Sequence, residues 1–162
     1  MTSTAVTSLR SRRAALALFA VLALAACSDE PEREEATGEL QESGDVDVFD
    51  VEVGDCLGGE TAEGEISSVE ATPCSEPHAE EIFAAVTVAD GEYPGQEALD
   101  VEAEQCLAEF AEFVGMAYEE SVLEINYMTP TEESWAEGDR EILCTIYDPD
   151  AETTGTLSGA NR

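Results

Sequence analysis

The sequence predicts a small single α+β domain, mainly an antiparallel sheet packed on one amphipathic helix and held by two disulfides. Three observations carry this expectation. Short runs alternating apolar and polar residues recur between Val46 and Tyr147, one stretch between Gly95 and Gly115 repeats its apolar residues at helical spacing, and four cysteines follow a leader of the exported type.

The leader comes first. Arg10, Arg12 and Arg13 form a positive start, and Ala14 to Ala23 an apolar run. A bilayer-spanning helix needs about 20 apolar residues, so this run fits a secretory signal better than a mature span. The following Leu24-Ala25-Ala26-Cys27 resembles the bacterial lipobox. That resemblance implies a lipoprotein signal peptide over 1–26, removal of which leaves Cys27 as the lipid-attachment residue with a diacylglyceryl group on its sulfur. Two or three acyl chains anchor durably where one is marginal, because each buried methylene contributes about 0.8 kcal/mol. The expected location is the extracytoplasmic face of the cell membrane, tethered to it and not threaded through it. Ser11 to Leu16 partly matches a twin-arginine export signal, which leaves two export routes open.

The chain holds 38 acidic residues against six arginines and no lysine, for a formal charge of -32. Residues 1–26 contain three of the arginines and no acid, so the processed chain carries -35. Nucleic acid is thereby excluded as a partner, since phosphate recognition depends on Lys and Arg. Adsorption of the folded part to anionic lipid is disfavoured for the same reason. Self-repulsion of this size destabilises a compact state, and salt relieves it as the Debye length falls from about 10 Å at 0.1 M to about 3 Å at 1 M. The charge reads either as adaptation to salty surroundings or as a surface for a basic partner or divalent cations.

Residues 27–47 are Glu, Asp, Ser, Gly and Pro with almost no apolar side chain, the composition of an acidic disordered tether. The folded domain is expected over 48–157, with 158–162 as a tail. Within it, Val46 to Asp55 alternates apolar and acidic residues before Gly54-Asp55, as a half-exposed strand and turn do. Ile66 to Pro73 and Glu81 to Asp90 read as two more strands. Leu99, Ala103, Cys106, Leu107, Phe110, Phe113 and Val114 then share one helical face, with five acids opposite. Leu123 to Met128 reads as a strand. Thr129 as N-cap, Pro130 at the first position, Glu132 closing a capping box and Gly138 at the end describe a short helix. In the last strand, Arg140 to Asp148, Ile142, Cys144 and Ile146 fall on one face.

Four cysteines in an exported domain point to two disulfides with three possible pairings. Cys106 lies on the apolar helix face and Cys144 on the inward face of the last strand, so these two are expected to pair, leaving Cys56 with Cys74. No Cys-x-x-Cys occurs, so the zinc and thioredoxin-like signals are missing and no metal or cofactor is expected.

Taken together, Val53 to Leu57, "PCSEPHAEEIF" at Pro73 to Phe83, Tyr93 to Gly95, Cys106 and "PTEESWAEGDREILCTIYD" at Pro130 to Asp148 resemble the septum formation family of actinobacterial envelope domains. The resemblance spans about 110 residues. It implies an envelope-associated domain connected with septation, and it brings no catalytic residue to carry over. Members often have a transmembrane segment, where this chain has the features of a lipid anchor.

Of the chemical candidates, His78 is the one histidine, and Glu80 and Glu81 stand close enough in sequence to hold it. A histidine bonded into the fold and a ligand site for a small molecule or divalent cation at His78 and Glu81 are the two readings. No Gly-x-Ser-x-Gly is present and Cys74 is committed to a disulfide, so no catalytic residue is expected. With so many acids no single pair singles out glycoside hydrolysis. The leading expectation is a non-enzymatic, lipid-anchored envelope protein that acts through contacts with envelope or division proteins. A small-ligand or cation-binding module and an envelope hydrolase are the rivals.

Overall fold

A computed structural model describes residues 31–59, 64 and 66–162. The expected signal peptide and Cys27 lie outside the described residues. Six strands form one antiparallel sheet: β1 (Gly44–Asp47), β2 (Cys56–Leu57), β3 (Ser68–Thr72), β4 (Glu80–Thr87), β5 (Glu124–Met128) and β6 (Glu141–Tyr147), in the order β1-β3-β2-β4-β6-β5. Helices α1 (Gln96–Ala103) and α2 (Cys106–Val114) cross one face, and the short α3 (Glu132–Glu137) joins β5 to β6. The α+β expectation holds, and so does each strand placed from Ile66 onward.

Alternation explains how the sheet carries two cores. On β6, Ile142, Cys144 and Ile146 all point to the helices, as their spacing predicts, and join Leu99, Phe110 and Val114. Leu143, on the other face, packs with Leu57, Ile82 and Val46. β4 would break this arrangement if it alternated strictly. Its register with β6 jumps at Phe83, where Ile82 faces Thr145 but Ala84 faces Cys144. This one-residue bulge lets Phe83 and then Ala84, Val86 and Val88 all reach the helical core while Ile82 stays on the other side. Phe83 meets Phe110 edge-on at 6.4 Å between ring centroids.

The single helix read from Gly95 to Gly115 is in fact bent. Between Ala103 and Cys106 the bonding tightens to three-residue steps, Glu104 N–H to Val101 O and Gln105 N–H to Glu102 O. The bend lets both halves follow the curled sheet while Leu99, Ala103, Cys106 and Phe110 remain buried. Gly115 ends α2 at φ +85°, a left-handed conformation that strains any residue with a side chain, while the Asn161 amide 2.9 Å from a Cβ there could swing away. α3 is also corrected. Its cap is Thr131 rather than Thr129, with a reciprocal bond pair between Thr131 and Ser134, because Pro130 lies outside the first turn; Gly138 closes it as expected.

The largest departure concerns residues 27–47. β1 lies within this stretch, Leu40 is buried, and Arg33 makes a bidentate ion pair with the buried Asp55 at 2.6 and 2.8 Å. From Pro31 onward the described part of the stretch is therefore built into the fold and does not form a free tether. Arg33, Leu40 and Val46 carry it in, a signal too sparse for composition to register. Residues 158–162, read as a tail, are likewise docked: Gly159 N–H donates to Phe113 O and Asn161 N–H to Val114 O.

Two measurable consequences arise here. The buried Thr145 hydroxyl, opposite Ile82, has no hydrogen-bond partner among the described residues. Thr145→Val is expected to raise the unfolding free energy by about 1 kcal/mol, read from a shift in the urea midpoint, because an unpaired buried hydroxyl costs on the order of 1–3 kcal/mol. Tyr118 donates its phenol to Glu124 at 2.6 Å. That hydrogen bond, with desolvation and the charges of Glu124 and Glu119, pushes its pKa up to about 12. A raised phenol pKa favours the neutral form in the fold, so its contribution to stability is complete below about pH 10 and is lost as pH rises toward 12. In an absorbance titration Tyr118 should ionise above the ordinary tyrosine range, and Glu124→Gln should bring it down.

Candidate functional site

"PCSEPHAEEIF" leads into β4. Pro73 O accepts from Glu76 N–H, turning the chain so that Cys74 meets Cys56 of β2 in a disulfide with a Cα–Cα distance of 5.2 Å. Cys106 pairs with Cys144 across 5.7 Å, so both expected pairings are present. His78 is fully buried. Its Nδ1 stands 2.9 Å from Glu76 O. A carbonyl only accepts, so Nδ1 carries a proton and donates it, and Nε2 shares a hydrogen bond with Thr153 Oγ1 at 2.9 Å. The two backbones also exchange a pair of bonds, His78 N–H to Thr153 O and Thr153 N–H to His78 O.

Glu81 follows the same logic. Its buried carboxylate accepts from Thr156 Oγ1 at 2.6 Å and from Leu157 N–H at 2.7 Å. His78 and Glu81 thus grip the same object, the segment 153–157 of their own chain. Gly155 turns that segment at φ +83° and donates its N–H to Cys74 O. Cys56, Cys74 and Glu81 bring possible ligand atoms within 4.8 Å of one another, but the two sulfurs are bonded to each other and offer no thiolate to a metal. The geometry accounts for both candidate residues without a ligand. Thr153 and Thr156, the partners that sequence reading missed, stand among polar neighbours with nothing in their spacing to mark them.

The second motif stretch builds a corner. The guanidinium of Arg140 lies 3.9 Å over the Trp135 ring, donates to Trp135 O, and pairs with Asp90, while Trp135 Nε1 donates to Gly91 O. Trp135 is buried and belongs to the core, and Asp139-Arg140 anchors the turn into β6.

A family model described as septum formation matches residues 53–161, spanning both motif stretches and both disulfides. The chain belongs to the septum formation family. No curated protein and no solved structure matches it. Family membership gives this septum formation domain a septum-related envelope role. The match begins at Val53, so β1 and the Arg33–Asp55 pair are reached from residues before it. Among the described residues no helix is long and apolar enough to cross a membrane.

The open feature of the septum formation domain is built over the second apolar cluster, with Gln96 at the start of α1 on its edge. Residues just beyond β1 and residues of β5, the two ends of the strand order, line one cleft of about 900 Å3. That is the upper end of the size range for ligand sites. Its floor is apolar, from Val51, Ile66, Met128 and Leu143 of the second core. Phe49 stands at the lip with 60% of its surface exposed. Glu133, Glu137, Asp139 and Glu141, from α3 and the turn into β6, supply the rim.

Proposed function

We propose that this chain is a lipid-anchored, extracytoplasmic, non-enzymatic envelope protein that serves septum formation through protein contacts. The lipobox-like Leu24-Ala25-Ala26-Cys27 supports the anchor, and the family supports the septum-related setting. The observation that carries the interaction reading is a division of labour within the domain. The chemically capable side chains, His78, Glu81 and the four cysteines after Cys27, are bonded into the fold, while the described residues leave an apolar cleft elsewhere on the domain.

Two experiments test this. Labelling with a palmitate analogue in growing cells is expected to mark the wild type and to be lost in Cys27→Ser; unchanged labelling in the mutant refutes the anchor. Cross-linked recovery of the anchored protein is expected to return an envelope or division protein reproducibly. Calorimetry with calcium and zinc separates the rival: a stoichiometric signal abolished by His78→Ala would replace the interaction reading with a ligand site.

A further inference from the structure

The cleft has a specific electrostatic character. Beyond the expected processing site the chain has three arginines and no lysine. Arg33 is paired with Asp55, Arg140 with Asp90 and Arg162 with Asp148. Asp139 is partly engaged, accepting from Ser134 Oγ and Glu141 N–H. Among the described residues, Glu133, Glu137 and Glu141 take part in none of these three ion pairs, and they border an apolar floor. A second hollow of about 510 Å3 shares Phe49, Glu137, Asp139 and Glu141 and is also lined by Arg140, whose charge is paired with Asp90, so the trough extends along the sheet beyond a single small-molecule pocket.

We infer that the cleft receives a basic, extended segment of a partner protein, with apolar side chains alternating with lysine or arginine. This rests on the interaction reading above and names its surface and chemistry. An extended chain points successive side chains to opposite sides. One set can therefore settle on Val51, Met128 and Leu143 while the other meets the rim carboxylates. A second copy of this chain is disfavoured as occupant, since it carries -32 in full and -35 after processing. The chain's own arginine cluster at 10–13 belongs to the leader that processing removes.

The test uses the full chain in non-ionic detergent and three dye-labelled ten-residue peptides, alternating Lys–Val, Lys–Ser and Glu–Val, followed by fluorescence anisotropy across a NaCl series. Lys–Val should bind at least tenfold more tightly than Lys–Ser, and Glu–Val should not bind. Phe49→Ser should weaken Lys–Val at least fivefold, whereas Leu107→Ser, which also removes an exposed apolar side chain but on α2 outside the cleft, should stay within twofold. The triple variant Glu133→Gln/Glu137→Gln/Glu141→Gln should weaken binding and flatten its salt dependence. Equal binding of Lys–Ser and Lys–Val, or equal loss in Leu107→Ser and Phe49→Ser, overturns the proposal, because general attraction to an acidic surface then accounts for it. A photo-crosslinking residue at position 49 or 107 in growing cells separates this failure from that of the parent reading. Adducts from position 107 alone remove the cleft and keep a contact-based function; adducts from neither remove both.

Discussion

Replacing Cys106 and Cys144 together with alanine is expected to lower the unfolding free energy by about 4 kcal/mol. The bond closes a span of 38 residues, and in the chain-entropy description its worth grows with the logarithm of that span. Cys56→Ala/Cys74→Ala, which opens a span of 18, should cost about 3 kcal/mol. Small domains have only about 5–15 kcal/mol to lose, and here mutual repulsion among the carboxylates works against compactness. The longer bridge also ties α2 to β6 at the centre of the helical core, where both sulfurs are buried. Urea unfolding of the two double variants, at fixed salt and without reductant, gives the order. If the Cys56–Cys74 variant proves the less stable, loop entropy is not the governing term and the local packing around Gly54 and β2 must be.

The second large effect belongs to Glu81. Glu81→Ala is expected to cost about 3 kcal/mol, since hydrogen bonds to a charged group contribute about 1.5–3 kcal/mol and the Leu157 amide is left buried without a partner. Glu81→Gln keeps one accepting oxygen and should cost about half as much. The distinguishing readout is local. Hydrogen exchange at Leu157 should accelerate strongly in Glu81→Ala, and residues 153–157 should become cleavable by protease while β4 and β6 stay protected. An unchanged Leu157 exchange rate would falsify the gripping role and return Glu81 to the pool of possible ligand groups.

The parts of the fold that could be read in advance are those written in periodicity. Ile142, Cys144 and Ile146 announce a buried face by alternation, and Leu99, Ala103, Cys106 and Phe110 announce a helix; the disulfide pairing follows because both periods point Cys106 and Cys144 inward. What escaped is written in single long-range contacts. Arg33 finds Asp55 across 22 residues, and Glu81 finds Leu157 across 76, with no local pattern at either end. The bulge at Phe83 is hidden because an unbroken apolar run suits both faces of a strand. The cleft was equally illegible: its lining comes from both ends of the strand order, and only the curl of the sheet brings Phe49 and Met128 to one hollow.

Among the four cysteines that follow Cys27, the two disulfides join neighbours in chain order, Cys56 to Cys74 and Cys106 to Cys144, and their loops neither overlap nor enclose one another. For a polypeptide that crosses a membrane N-terminus first with Cys27 held by lipid, Cys56 meets Cys74 before Cys106 has emerged, and Cys106 then has Cys144 as its one free companion. Oxidation in order of arrival yields the native bonds directly. Export of such a chain N-terminus first therefore calls for a thiol oxidant but places no demand on an isomerase to reshuffle mispaired bridges.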